Sequence, residues 1–167
     1  MGRTITLTVL GKPEPRGSKV SIVLYDRLPG GGMTPRLNAQ GKVILFPKDD
    51  NPRSKPWMNK VAKAALARYG PLRLTGPVEL SLRFYLVRPG YHFGTGRNAG
   101  IIKERYVGAR HTVRPDRLKL ARAIEDALTG VLYVDDSQTV AGPIEKEYCA
   151  PGTEQRVEIA VEELEVA

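Results

Sequence analysis

The segment between residues 114 and 130 constrains the fold most, because it specifies one amphipathic helix and marks both of its ends. Pro115 and Asp116 are typical of a helix start, where an aspartate caps the free backbone N–H groups. Gly130 is typical of the residue that follows a helix. The apolar positions between them recur at helical spacing: Leu118, Leu120, Ala121, Ala123, Ile124, Ala127 and Leu128. The sequence therefore predicts a helix here with one face in the core.

Acidic residues gather at the end of this predicted helix and just after it. Glu125 and Asp126 fall in the last turn, where the helix dipole disfavours negative charge by roughly 0.3–1 kcal/mol each. The spacing places Arg122 and Glu125 on a common stripe and turns Asp126 about a quarter turn away. Two adjacent aspartates follow at 135–136. Hard cations such as Mg²⁺ bind oxygen ligands of this kind, usually together with phosphate and water. The residues therefore indicate an acidic, metal-binding centre.

Length and composition limit the class of protein. A chain of 167 residues predicts one domain, spanning 1–167, that is large enough for a proper core. The net charge of +8 and the pI of about 9.7 favour a polyanionic partner, although a basic surface also serves solubility alone. The lone Cys149 excludes an internal disulfide and suits a reducing cytoplasm. The sequence contains neither a long apolar run nor the core of a signal peptide, so we expect a cytoplasmic protein without membrane contact.

The remaining periodicities predict an α+β fold. The clearest strand is Pro77–Val87, whose strict alternation favours a central position in a sheet. A first helix is expected over Pro52–Tyr69, with Trp57 as a core anchor rather than a base-stacking residue. Further strands are predicted at Thr4–Leu10, at Val20–Tyr25 and Val43–Phe46 as a hairpin or a loose arm, and at Thr139–Cys149 and Glu154–Leu164 as a terminal hairpin. This order predicts a single domain with a mixed or antiparallel sheet and two main helices.

The stretch from Arg88 to Val113 is long for a loop, and such loops tend to be functional or disordered. From Arg88 through Arg122 there are nine Lys/Arg residues and two acids, with aromatic residues interleaved, as in segments that grip DNA. We expect a mobile basic loop over about 88–113 that orders on DNA; a plain surface insertion is the alternative. The loop at 11–17 is either a phosphate contact or a simple turn. The predicted DNA-binding residues are Lys12, Arg16, Arg88, Arg97, Lys103, Arg105, Arg110, Arg114, Arg117 and Lys119.

A spaced motif runs through Pro115-Asp116, Leu120, Arg122-Ala123, Asp126-Ala127-Leu128 and Asp135-Asp136-Ser137-Gln138. It resembles the signature of the RusA-type Holliday junction resolvases, which reads Pro-Asp-x-Asp-Asn-Leu-x-Lys-Ala-x-x-Asp-Ala-Leu, then a short hydrophobic stretch, then Asp-Asp-x-Gln. The resemblance extends to segments 11–18, 92–98 and 111–116. It implies a RusA-like fold and a Mg²⁺-dependent, usually homodimeric endonuclease for branched DNA.

Three positions depart from that signature: Leu118 stands at its second Asp, Lys119 at its Asn, and Arg122 at its Lys. By the resemblance, Asp116 and Asp136 are metal ligands and Arg122 takes the place of the catalytic Lys. Because an arginine stays charged, we expect Arg122 to stabilise transition-state charge rather than transfer a proton. We expect Glu125 to replace the ligand lost at Leu118. The predicted catalytic residues are Asp116, Arg122, Glu125 and Asp136, and the predicted metal ligands are Asp116, Glu125, Asp135 and Asp136.

The function expected from these observations is structure-selective cleavage of Holliday junctions and other branched DNA by phosphodiester hydrolysis, with Mg²⁺ as cofactor and Mn²⁺ as its substitute. A phage or prophage origin in a bacterial host is expected, with no small-molecule substrate. A two-fold homodimer would supply the two symmetric cuts that a four-way junction needs. One alternative is a non-catalytic branched-DNA-binding protein that lost a metal ligand at Leu118. Another is a protein-interaction module that uses the acidic tail, which carries Glu145, Glu147, Glu154, Glu158, Glu162, Glu163 and Glu165.

Overall fold

The fold is known from a computed structural model that describes residues 4–165. The first three and last two residues of the expected domain lie outside this range. The two helices and the sheet confirm the predicted α+β class. In chain order the elements are β1 (Thr4–Leu10), β2 (Lys19–Val23), β3 (Tyr25–Arg27), β4 (Met33–Pro35), β5 (Leu45–Asp49), α1 (Ser54–Tyr69), β6 (Val78–Leu86), α2 (Arg117–Leu128), β7 (Thr139–Ala141), β8 (Ile144–Tyr148) and β9 (Arg156–Glu163).

Strand β6 organises the main five-stranded sheet. It pairs antiparallel with β9 on one side and parallel with β7 and β8 on the other, and β1 extends the sheet beyond β9. Every second residue of β6 from Val78 to Leu86 is buried, because alternate side chains of a strand point to opposite faces. The predicted central strand is therefore confirmed.

The predicted terminal hairpin is wrong. Strands β8 and β9 do not pair with each other, because β6 lies between them: Leu82 is opposite Ile144 of β8 and opposite Ile159 of β9. The connection around Pro151-Gly152 crosses from one side of β6 to the other. An alternating pattern identifies the buried face of a strand but not its neighbour, so sequence order alone suggested the wrong pairing.

Both helices pack on one face of this sheet. Trp57, Val61 and Ala65 of α1 are buried, which confirms Trp57 as a core anchor. The apolar face of α2 is buried over Leu120–Leu128, and the two helices contact each other. The opposite sheet face is polar and includes the Arg83–Glu145 ion pair, whose Nε–Oε2 distance is 2.9 Å. The core thus holds α2 rigidly against the sheet.

Residues 18–50 form a separate two-stranded extension, called the ribbon below. Strands β2 and β5 pair antiparallel from Lys19↔Asp49 to Val23↔Leu45, and β3 pairs with β4 farther along. The predicted hairpin is confirmed. Lys119 Nζ donates to Ser18 Oγ over 2.9 Å, and Arg16 N donates to Lys119 O over 2.9 Å, so the base of the ribbon is bonded to the first turn of α2.

The long basic segment after β6 contains three short 3₁₀ turns, at Gly90–His92, Gly96–Asn98 and Glu104–Tyr106. Its expected mobility, and its ordering on DNA, stay predictions. Across residues 4–165, neither helix has the length and apolar character needed to cross a membrane.

Candidate nucleic-acid groove and acidic centre

A groove of about 1210 Å³ runs past the N-terminal end of α2. Its walls are the 12–17 loop, the base of the ribbon, the end of β6 and the 111–117 segment. Half of the predicted DNA-binding residues line it, and one cation that the sequence analysis missed joins them: Lys12, Arg16, Arg114, Arg117 and Lys119, with Lys146. The charge of this lining suits a phosphate backbone.

Two of these cations are already paired with carboxylates. Lys12 Nζ lies 3.3 Å from Glu14 Oε1. Arg16 is held more firmly, with Nε 2.6 Å from Asp126 Oδ2 and Nη1 3.1 Å from Asp49 Oδ2. Arg16 therefore links the 12–17 loop, the ribbon and α2, in addition to lining the groove.

The other predicted DNA-binding cations lie outside the groove lining, on the 88–113 loop. Arg88 packs over the Tyr148 ring at 4.7 Å and donates to Tyr106 O over 3.1 Å. Lys103 Nζ donates to Tyr91 O over 3.0 Å, and Arg105 packs over Tyr106. These contacts hold the loop together. Arg97 and Arg110 are exposed on its surface.

Two histidines anchor this loop from inside. His92 is buried and stacks on Tyr106 at 3.9 Å, with its Nδ1 3.2 Å from Arg88 Nη1. Burial lowers its pKa, and the charges of Arg88, Arg105 and Lys103 lower it further. His111 is also buried, packs against Tyr148 and lines the groove. His111 Nδ1 is buried without a hydrogen-bond partner among the described residues.

Asp116 caps α2, as the sequence predicted. Its backbone is extended, with φ −65° and ψ 134°, and its Oδ1 accepts a hydrogen bond from Leu118 N over 2.9 Å. The carboxylate is exposed at the groove wall. Leu118 is 62% exposed beside it, so the residue at the departure from the family signature faces solvent rather than the core.

Lys146 is a site residue that the sequence analysis missed. Its Nζ donates to Val113 O over 2.9 Å and to Pro115 O over 2.8 Å, which ties β8 to the segment before Asp116. Burial lowers the pKa of Lys146, and the charge of Asp116 acts in the opposite direction. The sequence contained a signal for this position. Lys146 is two residues from both Ile144 and Tyr148, so it shares their face, the inward side of β8.

Glu125 is half-buried near the other end of α2. Burial raises its pKa above the ordinary value, and the charges of Asp136 and Asp126 raise it further, against the opposing charge of Arg122. The structure therefore brings Glu125 and Asp136 within electrostatic range of each other. The exposed Arg122 lies close enough to act on the same carboxyl group.

The adjacent aspartates have different surroundings. Asp135 Oδ1 accepts a hydrogen bond from Ser137 N over 2.9 Å and caps the 3₁₀ turn Asp136–Gln138. This bonding with Ser137 lowers the pKa of Asp135. The Gln138 side chain accepts from Asp135 N over 2.8 Å and donates to Leu74 O over 2.9 Å, which fixes the turn to the neighbouring chain segment. Asp135 thus has a structural role as a cap, whereas the neighbouring Asp136 is exposed.

The predicted ligands do not form one compact cluster. Within residues 4–165, no three His, Cys, Asp or Glu side chains are grouped so that they could hold one ion. Asp116 and Glu125 are nine positions apart along α2, a separation of roughly 13 Å at about 1.5 Å per residue. Glu125 and Asp136 are the pair whose mutual repulsion a cation would relieve. The four-carboxylate ligand set stays a prediction.

Comparison with known proteins assigns the chain to a family. Residues 29–162, most of the chain, match the family model described as endodeoxyribonuclease RusA. The chain is also 28% identical over 160 residues to the uncharacterized protein YqaN of Bacillus subtilis (strain 168), a match that covers 96% of each chain. The mixed sheet, the two helices and the acidic residues on α2 agree with the motif that first indicated this family. The chain therefore belongs to the RusA family and is an endodeoxyribonuclease.

Proposed function

We propose that this enzyme resolves Holliday junctions and related branched DNA, with Mg²⁺ as its cofactor and Mn²⁺ as a substitute. The observation that carries the proposal is the basic groove that leads to an exposed Asp116 at the head of α2. Phosphates held along this groove would lie beside the helix that carries Arg122, Glu125 and Asp126. The affinity would be largely independent of sequence and sensitive to salt.

The carboxylates of the site fit a hard divalent cation, since Mg²⁺ commonly takes one or two protein carboxylates with phosphate and water as its other ligands. Glu125 and Asp136 would hold it at the end of α2, whereas Asp116, roughly 13 Å from Glu125 along the helix, would act at the N-terminal end of the groove and not on the same ion. Bound Mg²⁺ would supply polarisation of the phosphoryl oxygen and a more acidic water. Arg122, which stays charged, would stabilise the negative charge that develops on the phosphate.

Cleavage of labelled four-way junctions tests this proposal, with linear duplex of the same sequence as the control substrate. The expected result is paired nicks in the junction with Mg²⁺ or Mn²⁺ and none with a chelator. Asp116→Asn and Glu125→Gln should each reduce cleavage by at least about 10-fold, the scale of a lost electrostatic contribution. Glu162→Gln, an exposed acid on β9, is the matched control and should leave cleavage unchanged. Unchanged cleavage by Glu125→Gln would remove Glu125 from the site.

A second function is favoured by one observation. Leu118 occupies the place of the second signature aspartate, and the residues described do not assemble a three-ligand cluster. A protein of this kind would bind branched DNA without cutting it. Tight junction binding with no nicks in Mg²⁺ or Mn²⁺, at any enzyme concentration, would establish this second function in place of the first.

The proposed setting is the cytoplasm of a bacterial host, with the gene carried by a phage or prophage. The proposed assembly is a homodimer with one groove per subunit, because a symmetric junction requires two symmetric cuts. Branched DNA is the proposed partner, and neither a small-molecule substrate nor a membrane enters the proposal.

A further inference from the structure

The ribbon is attached to the rest of the chain by polar contacts at its base. None of its residues, 18–50, is buried, and none belongs to the hydrophobic core. Its position therefore depends on hydrogen bonds and ion pairs. Beside the base, Asn51 Nδ2 donates to Pro15 O over 2.8 Å, and Lys119 Nζ donates to Ser18 Oγ over 2.9 Å.

Arg16 contacts the ribbon and both helices at once. Its Nη1 lies 3.1 Å from Asp49 Oδ2 on β5, and its Nε lies 2.6 Å from Asp126 Oδ2 on α2. The same Nη1 lies 3.6 Å from Met58 Sδ on α1. Because a guanidinium group is planar and presents its N–H groups in a rigid fork, it fixes the directions of its partners as well as their distances.

The packing around this contact leaves the Asp49 carboxylate little room to move. Asp49 Oδ1 accepts a hydrogen bond from Asn51 N over 2.8 Å, so the carboxylate is held at both oxygens. A Cβ atom at Gly17 would lie 1.8 Å from Asp49 Oδ1 and 2.6 Å from Asn51 N. Any larger residue at Gly17 would therefore displace the carboxylate that Arg16 binds.

The contact joins the groove to the end of α2 that carries the acidic residues. Gly17 and Asp50 line the groove at the foot of the ribbon. Asp126 lies next to Glu125 on α2, a helix whose apolar face is buried in the core. Arg16 therefore connects a groove wall that lacks core packing to a helix that the core holds in place.

We propose that Arg16 is a positioning residue for cleavage, which keeps the groove wall in register with the acidic end of α2. A phosphodiester bound in the groove would then lie at a fixed place relative to the residues that act on it. This role rests on the proposed function, and it adds the side chain that determines which phosphodiester is cut. A misplacement of about 1 Å in such an alignment can cost about 100-fold in rate.

Single-turnover cleavage of an end-labelled four-way junction in Mg²⁺ tests this role, because it reports both the rate and the position of each nick. Arg16→Gln and Asp49→Asn each break the contact with the ribbon. Each should lower the rate by at least about 10-fold and spread the nicks over neighbouring phosphodiesters. The double variant should be no slower than the slower single variant, since both changes remove one interaction. A purely stabilising contact would change the fraction of active enzyme and leave the nick positions as they are.

Arg36→Gln with Asp26→Asn is the matched control, because it removes an arginine–aspartate ion pair that lies within the ribbon. This control should cut at the wild-type rate and positions. Arg16→Lys keeps the positive charge but lacks the fork that holds two carboxylates. It should bind the junction as the wild type does and still lose rate and nick precision, and it provides the test if Arg16→Gln does not fold.

Wild-type rates and nick positions in Arg16→Lys and Asp49→Asn overturn the role of Arg16. A loss of junction affinity in Arg16→Gln that Asp49→Asn does not share, with nick positions unchanged in both, also overturns it, because Arg16 would then be a simple phosphate contact. A wild type that binds junctions without cutting them rejects the proposed function and this role together. A wild type that cuts, with variants equal to it, rejects the role alone.

Discussion

Leu118 reduces the number of carboxylates at the N-terminal end of α2, because it stands where the family signature has its second aspartate. It is exposed in the first turn of the helix, two positions after the capping Asp116, and its backbone N–H is the group that Asp116 caps. An apolar side chain at this exposed position gains little free energy from burial. The groove wall also has one carboxylate fewer than the family signature would give it. The helix dipole would favour an acid at this position.

We predict that Leu118→Asp raises Mg²⁺-dependent cleavage of four-way junctions by at least about 10-fold, because it adds a carboxylate beside Asp116. The added charge should stabilise α2 by roughly 0.3–1 kcal/mol, since it lies in the first helical turn. Rates measured under single-turnover conditions check the first expectation. Leu118→Asn controls for size and polarity and should not raise the rate; an equal gain in both variants would contradict the prediction.

Lys146 gives a second prediction at the scale of one residue. Lys146→Met removes two hydrogen bonds to the segment that leads into Asp116 and should destabilise the fold by about 1–3 kcal/mol. The displaced Asp116 should lower kcat at least about 10-fold with little change in KM. Lys146→Arg should keep most of the activity. A fall in KM and kcat together, or no effect on kcat, would show that Lys146 does not position the catalytic segment.

At the scale of elements, the loop between β6 and α2 is built around a neutral histidine. His92 is held between aromatic rings and faces Arg88, Arg105 and Lys103. The folded loop lowers its pKa, so the loop favours the neutral form more than the unfolded chain does. The stabilising contribution of neutral His92 is complete above the ordinary histidine pKa. It is lost as the pH falls from that value to the lowered pKa that His92 has in the folded loop.

We therefore predict that the 88–113 loop loosens as the pH is lowered from about 7 to about 5, the range in which an ordinary histidine takes up a proton. Hydrogen exchange, corrected for its intrinsic pH dependence, should show faster exchange of the loop amides in acid. His92→Phe keeps a ring in the stack without a titrating nitrogen, so its loop should respond much less to pH. An equal response in both proteins would assign the effect to another group.

Helices and strand faces were predictable because their signals are local. The cap at Asp116, the alternation from Val78 to Leu86 and the burial of Trp57 each depend on near neighbours in the sequence. The pairing of β8 was not predictable in this way. Strands β8 and β9 follow each other along the chain, but they pair with opposite edges of β6. The inward direction of Lys146 was predictable from its place in β8, but its hydrogen bonds were not, since they reach residues more than thirty positions away.

At the scale of the whole molecule, the candidate site could likewise be predicted from the sequence only in part. The motif identified the family and the acids on α2, but it gave no indication that Arg16 is committed to Asp126 and Asp49, or that Asp135 serves as a cap. These are long-range or turn-specific contacts. The free cations of the groove can therefore be named only from the structure.

A prediction about the whole molecule concerns the salt dependence of DNA binding. Among the described residues, four groove cations have no carboxylate within salt-bridge distance: Arg114, Arg117, Lys119 and Lys146. If these contact phosphates, the slope of log K against log salt should be on the order of −3.5. Arg117→Ala should make this slope shallower by about one unit, whereas Lys63→Ala, on the exposed side of α1, should not change it. Fluorescence anisotropy with a junction in a salt series is the measurement, and equal slopes for both variants would contradict the role of Arg117.

The order of the sheet also has a consequence for how the protein is made. Strand β9 is late in the chain, yet it joins β1 to β6 inside the sheet. During translation, β1 has no partner until residue 163 has left the ribosomal tunnel, so an early strand of the nascent polypeptide must wait for a late one. A stalled or shortened polypeptide that lacks β9 would leave the edges of β1 and β6 open to other chains, which makes such fragments prone to aggregate.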